Sequence, residues 1–288
     1  MQLKWGNENT LAGWYWLCIK ILFTWYWFLQ MRSMIRSSGS YLYPAGICKL
    51  YHFNFLFTGP GKWTLVLLLL VCAALYISEK RMLLATGALT LLTCLIISRS
   101  ESTGVLLRAT AYTPLFAVQF IAYLFAKFNA GFNLAFYRQQ YAVQIIAAIY
   151  TVAAISKLSS SGLSWPQDGS SLFAIQMLKG FSAEYFDTAN VSALQKGHLL
   201  ANGLLAHKQE LKLLLWGSLL LELFCFTATL HPRLKLIYGI ALTLMHLGIY
   251  LSMNILIGGL VYPMLTFFIN PLYLFYLLIQ KLRSTTAA

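Results

Sequence analysis

Four ionisable side chains interrupt apolar runs of this sequence: Lys20, Lys157, Glu222 and His246. A charge at membrane depth is costly, so such residues are functional candidates by default. Lys157 follows the run IIAAIYTVAAIS and precedes the segment LSSSG. If it faces the interior of a helix bundle, burial disfavours its ammonium form, and a neutral lysine is a usable general base. If it faces the lipid headgroups, it is an ordinary anchor.

The other two charged residues of this group lie deeper in their runs. Glu222 is near the middle of LLLWGSLLLELFCF and needs a partner or a proton, because burial disfavours an isolated carboxylate. A structural, hydrogen-bonded role and a functional role are both open for it. Lys20 lies between Ile19 and Ile21, where its long stem would let the ammonium snorkel to the interface.

His246 begins a polar stripe on one predicted helix. Tyr250 follows at i+4 and Asn254 at i+8, which puts the three side chains on roughly the same helical face. Such a stripe could line a polar cavity. A lone helical histidine whose hydrogen bonds are satisfied in the core is the competing interpretation.

Other familiar catalytic and metal-binding patterns are absent from the sequence. It contains no GxSxG, P-loop, HExxH or GxGxxG motif with suitable flanks. The five cysteines show neither CxxC spacing nor a Cys/His ligand pattern, and four of them fall in apolar runs. We therefore predict no metal site.

The composition indicates the medium in which these residues lie. Of the 288 residues, 59% are hydrophobic and 10% are charged, whereas about a quarter of the residues of a soluble domain are charged. The formal net charge of +13 would suggest a nucleic acid partner in a soluble protein. Here the basic residues lie mostly at the ends of apolar runs, so we expect membrane lipids as partners and no nucleic acid.

The apolar runs predict an all-α fold, a polytopic transmembrane helix bundle that forms a single integral membrane domain over 1–288. A helical excursion at about 158–210 is expected to lie on the membrane surface, because its segment SLFAIQMLKGFSAEYF is amphipathic. A weak excess of basic residues in alternate loops favours a cytoplasmic N-terminus. About eight helices are predicted, at 11–31, 63–79, 82–98, 105–126, 141–157, 211–230, 235–254 and 258–279.

Three blocks of the sequence together resemble a known family. The blocks are YTVAAISKL (150–158) with Gly162, Trp165 and Gly169; LLLEL around Glu222; and His246 with MNILIGG (253–259) and Pro263. Their order and spacing are similar to the horizontally transferred transmembrane (HTTM) domain superfamily, and in particular to the membrane half of the vitamin K-dependent gamma-glutamyl carboxylases and their bacterial relatives.

The resemblance implies a helix bundle with a cavity for a quinone, a quinol or a bound lipid. Lys157 occupies the place of the lysine that acts on the hydroquinone in the carboxylases, and His246 matches a histidine on a later helix of the family. Both are candidate catalytic residues, and Glu222, Trp165, Tyr250 and Asn254 are candidate pocket residues. We expect a bacterial cytoplasmic (inner) membrane protein with other membrane subunits as partners.

Two departures from the carboxylases shape the functional hypotheses. The region that carries a further functional histidine in that family reads LLRATAYTPLFAVQF here, with Thr113 or Pro114 at the nearest position, and we expect no counterpart of the large soluble part that binds the propeptide. A lipid- or quinone-binding accessory subunit without carboxylase activity fits these departures. A quinol-dependent carboxylase- or oxidase-like membrane enzyme with Lys157 as base, and a peptide export or maturation component, are the alternatives.

Overall fold

The computed structural model describes residues 11–36, 42–51, 53–103, 111–253 and 258–286. Within these ranges the chain is helical and contains no strand, which confirms the all-α prediction there. The helices are α1 (Leu11–Arg36), α2 (Gly59–Ile77), α3 (Met82–Ser102), α4 (Tyr112–Phe128), α5 (Leu134–Ser161), α6 (Ser164–Thr188), α7 (Val191–Ala206), α8 (Lys208–Leu223), α9 (Pro232–Met253), α10 (Gly258–Met264) and α11 (Pro271–Thr286). Short 3-10 turns occupy Gly46–Lys49, Asn54–Leu56 and Cys225–Thr229, and a π-helical turn, Leu265–Ile269, joins α10 to α11.

Five helical segments of the described chain are long and apolar enough to cross a membrane. They are α2, α3, α5, α9 and the segment Gly258–Ile279, while α4 is a shorter apolar helix. This composition is compatible with an integral membrane protein, but the predicted count of about eight spans is not confirmed. The predicted span 211–230 is divided into α8 and a 3-10 turn. α1 is 26 residues long, but four tryptophans, two tyrosines and Lys20 make it less apolar than the five.

By its internal contacts the chain forms two compact units. Unit 1 comprises Met1–Ile146 and Gly258–Ala288, and unit 2 comprises Ala147–Ile257. The boundary between them falls within α5. The single membrane domain over 1–288 stays a prediction.

The core of unit 1 is built on the aromatic residues of α1. Ile19, Phe23, Trp27 and Met31 recur every four residues and are fully buried, as expected for one face of a helix. The Phe23 ring lies 4.8 Å from that of Phe116, and Trp27 Nε1 donates a hydrogen bond to Thr93 Oγ1 at 2.9 Å. These aromatic rings therefore pack inside the unit.

Unit 2 contains the predicted excursion at 158–210, which is helical as expected. Asn190 caps α7 by accepting a hydrogen bond from the Ser192 amide at 3.2 Å. The α6–α7 pair packs closely at Gly197, where an added Cβ would come within 2.7 Å of the Phe181 side chain. α6 also approaches the end of α9, because a Cβ on Gly180 would overlap the Met253 carbonyl oxygen. The surface location of these helices stays a prediction.

Candidate functional site

The end of α5 positions Lys157. Gly162 follows the helix with φ +58°, a left-handed conformation that suits glycine, and its amide donates to the Leu158 carbonyl at 2.8 Å. The hydroxyls of Ser159 and Ser160 donate to carbonyls three residues earlier in the same helix. The serine-rich segment after Lys157 is therefore a helix terminus, and it fixes Lys157 one turn before the end of α5.

Lys157 forms an ion pair with Glu222, which lies in the last turn of α8. Its Nζ is 2.5 Å from Glu222 Oε2, and the side chains are 29% and 9% exposed. α8 ends one residue later, and the Thr151 hydroxyl lies 3.5 and 3.4 Å from the Glu222 and Leu223 carbonyls of its last turn. Glu222 thus has the partner that a buried carboxylate requires.

Trp165 contacts the same ammonium from another side. The Lys157 Nζ lies 4.8 Å from the centroid of the Trp165 ring, within the range of a cation–π interaction. The turn at Gly162 separates α5, which carries Lys157, from α6, which carries Trp165. Three of the sequence-predicted site residues, Lys157, Glu222 and Trp165, therefore meet at one point.

His246 lies in a second polar contact, with Tyr150. The Tyr150 hydroxyl is 2.7 Å from His246 Nε2, and both side chains are buried. Tyr150 lies two turns before Lys157 on the same face of α5, with the buried Ala154 between them. Among the residues that the structure describes, His246 Nδ1 has no hydrogen-bond partner. Tyr150 was not predicted as a site residue, although the seven-residue spacing from Lys157 would have suggested it.

A leucine-lined cavity of about 670 Å³ opens beside the ion pair. Lys157, Glu222 and Trp165 lie at one end, and the α8 residues that line it extend from Glu222 back to Leu211. Eleven residues of helix correspond to about 16 Å. Most of the remaining wall is apolar, including Leu214, Leu215, Leu221, Leu244, Met245 and Ile249. The cavity is therefore elongated, with its charged groups at one end, and its volume is in the range of small-molecule sites.

The predicted stripe after His246 does not join this site within the described chain. Tyr250 is 42% exposed and lines a smaller cavity of about 320 Å³ with Glu184, Asn190 and Lys196. Asn254 lies outside the described residues.

We also examined possible metal ligands in the described ranges and the thiol of Cys225. In the described ranges, no group of three or more His, Cys, Asp or Glu side chains could hold a metal ion. Cys225 lies in the 3-10 turn after α8, outside the five candidate spans. Burial, with a smaller contribution from Glu222, raises the pKa of the Cys225 thiol to about 12. This thiol is therefore protonated near neutral pH and is a weak nucleophile.

Unit 1 has a separate buried charge cluster that the sequence did not predict. The Lys20 Nζ lies 2.7 Å from the Ile77 carbonyl and 3.2 Å from Glu79 Oε1, so the lysine is paired within the unit, and its snorkelling stays a prediction. The Arg138 Nη1 lies 3.3 Å from the same carboxylate oxygen, and the guanidinium is 3.9 Å from the centroid of the Trp16 ring. The available signal was the scarcity of acids: Glu79 is one of eight and lies between two apolar runs.

Comparisons of this chain with protein-family models, with curated proteins and with solved structures find no match. The resemblance to the HTTM superfamily therefore stays a prediction. It rests on the three sequence blocks around Lys157, Glu222 and His246.

Proposed function

We propose that this chain is an HTTM-like integral membrane protein that binds a quinone or another lipid-like molecule in the leucine-lined cavity of unit 2. In this proposal it is an accessory subunit of a membrane complex in a bacterial cytoplasmic membrane, with its N-terminus in the cytoplasm, and it lacks carboxylase activity. The observation that carries the proposal is the amphiphilic form of the cavity, which has Lys157, Glu222 and Trp165 at one end and leucines along its length.

The polar end of the cavity suits the head of such a ligand. The Lys157 ammonium can donate a hydrogen bond to a quinone carbonyl, and the Trp165 indole offers a face on which a flat ring can stack. Glu222 balances the charge of Lys157, so the site can exist in an apolar environment before a ligand arrives. An isoprenoid or acyl tail would contact the leucines, where burial of apolar surface contributes about 25 cal/mol per Å².

Tryptophan fluorescence tests the proposal, because quinones quench indole emission on contact. The full chain in nanodiscs is titrated with decylubiquinone, and we expect saturable quenching of which a distinct part is lost in Trp165→Phe. Trp216→Phe is the matched control, since Trp216 is on α8 outside the lining of the cavity. Lys157→Ala should weaken binding by about tenfold or more, because a hydrogen bond to a charged group contributes about 1.5–3 kcal/mol. Equal quenching loss in the two tryptophan variants would contradict this assignment.

The ion pair also favours a second candidate, a quinol-dependent enzyme. The pair places an amine and a carboxylate, two groups that can accept or pass on a proton, at the end of the cavity where a quinol hydroxyl would lie. The same nanodiscs distinguish the two functions when quinol oxidation by oxygen is followed. A rate that is lost in Lys157→Ala supports the enzyme; an unchanged rate, or no rate in either protein, excludes catalysis by this lysine.

A further inference from the structure

Unit 1 carries a groove of about 510 Å³ between the beginning of α3 and the end of α4. Arg81 and Leu84 line it from the α3 side, and Tyr123 and Lys127 line it from the α4 side. Gly87 and Phe120, further along the two helices, also approach each other, so α3 and α4 run antiparallel at this point. The groove is separate from the cavity of unit 2 and from the function proposed for it.

The chemistry of the groove is that of an amphiphile site. Two cations, Arg81 and Lys127, are its only charged lining residues among the described side chains, and its other lining residues are apolar apart from the Tyr123 phenol. An exposed apolar face continues from it along α3: Leu84 is 58% exposed, and Leu91, two turns later on the same face, is 66% exposed.

The charge cluster of Lys20, Glu79 and Arg138 holds the two sides of the groove in place. Arg81 has φ 50° and Glu79 has φ 57°, a left-handed conformation that few non-glycine residues adopt. The Glu79 carboxylate contacts Lys20 and Arg138, and Arg138 Nη1 donates to the Tyr123 hydroxyl at 3.0 Å. These contacts fix the turn that carries Arg81 and the phenol that lines the opposite wall.

We infer that this groove binds an anionic phospholipid, with its phosphate between Arg81 and Lys127 and an acyl chain along Leu84 and Leu91. Charge complementarity selects an anionic headgroup, and the apolar walls select a lipid over a free phosphate ion. The negative charge of the ligand relieves the repulsion between the two cations on the rim.

Native mass spectrometry of the full chain in detergent tests this inference, with palmitoyl-oleoyl-phosphatidylglycerol as the probe and the phosphatidylcholine of the same chains as reference. The protein should bind phosphatidylglycerol in preference to phosphatidylcholine. Lys127→Gln should weaken its binding about fivefold, and Arg81→Asn with Lys127→Gln roughly 25-fold, from about fivefold for each cation near a phosphate. Asparagine is chosen at position 81 because it tolerates the left-handed backbone.

The matched control is Lys80→Gln, since Lys80 is exposed, adjacent to Arg81 and not part of the groove lining. It should change binding by less than Lys127→Gln does. Equal losses in these two single variants would overturn the site in favour of diffuse charge attraction. Equal binding of phosphatidylcholine, or displacement of the lipid by millimolar inorganic phosphate, would also overturn it. Lys127 is exposed in the last turn of α4, so its single variant decides the outcome if the double variant does not fold.

Discussion

The Lys157 ammonium in unit 2 has two neighbours that favour its charge, the Glu222 carboxylate and the Trp165 ring. Glu222 is the more buried partner of the pair, so it depends on Lys157 more than Lys157 depends on it. In the proposed function, a quinone head that enters the cavity meets a lysine whose charge is already balanced. That proposal therefore requires a hydrogen-bond acceptor on the ligand rather than a second strong anion.

Removing the carboxylate alone should destabilise the protein. Glu222→Gln leaves the Lys157 ammonium without its counter-charge, and we expect the free energy of unfolding to fall by about 2 kcal/mol. This is between the values for exposed and buried pairs, because Lys157 is 29% exposed. Unfolding in SDS, followed by far-UV circular dichroism, measures the change.

Two variants control this measurement. Glu210→Gln breaks the His207–Glu210 pair, whose side chains are 72% and 68% exposed, and should have no measurable effect. Lys157→Met combined with Glu222→Leu replaces the pair by apolar groups and should recover most of the loss. A loss in Glu222→Gln no larger than in Glu210→Gln would show that the pair does not stabilise unit 2.

At this scale the sequence could identify residues but not their pairing. Lys157 and Glu222 stood out because each interrupts an apolar run. They are 65 positions apart, and nothing local specifies which cation meets which acid. The polar stripe expected after His246, with Tyr250 at i+4 and Asn254 at i+8, followed from helical periodicity. The contact that the structure provides comes from Tyr150 on another helix.

At the scale of elements, two helix ends build the site. α5 stops at Gly162 and α8 stops at Leu223, and these terminations place Lys157 and Glu222 within contact distance. The apolar runs predicted most of the helices well, because hydrophobic length is what a membrane requires. They did not predict the end of α8, since LELFCF continues the apolar run and contains neither glycine nor proline.

Packing of α7 against α6 depends on one of the two glycines of α7. Gly197→Ala brings a methyl group within 2.7 Å of the Phe181 side chain and should lower the midpoint of thermal unfolding. Gly203→Ala is the matched control, because a Cβ there meets nothing within 4 Å and alanine favours a helix by about 0.5–1 kcal/mol. We expect shifts of opposite sign in differential scanning fluorimetry; shifts of the same sign would contradict the packing.

At the scale of the whole molecule, α3 of unit 1 determines which loops would lie on the same face of a membrane if α3 crosses it. Its 21 residues span about 31 Å, the thickness of a hydrocarbon core. The turn with Lys80 precedes its first residue. The turn with Lys49 packs near its last residues, where the Ile47 amide donates to Ser98 Oγ at 3.2 Å. Lys80 and Lys49 therefore lie at opposite ends of α3, which is one of the candidate spans.

Cysteine labelling tests this topology. In a background without the five native cysteines, Lys80→Cys and Lys49→Cys each place a thiol at an exposed position. With a cytoplasmic N-terminus and with α1 crossing as the sequence predicts, an impermeant maleimide applied to intact spheroplasts should label Lys49→Cys, and it should label Lys80→Cys only after lysis. The reverse pattern would invert the orientation, and labelling of both from one side would show that α3 does not cross.

The contact between α6 and the end of α9 restricts which substitutions can accumulate at position 180 during evolution. The atom that a Cβ on Gly180 would meet is the main-chain oxygen of Met253, which is present whatever residue occupies position 253. No substitution at position 253 can make room for a side chain at position 180. A second substitution can relieve a clash between two side chains, but it cannot relieve this clash with the main chain. Descendants of the same ancestor should keep a glycine between the lysine of α5 and the glutamate of α8. The order Lys157, Gly180, Glu222, His246 is thus a signature for finding them where overall similarity has faded.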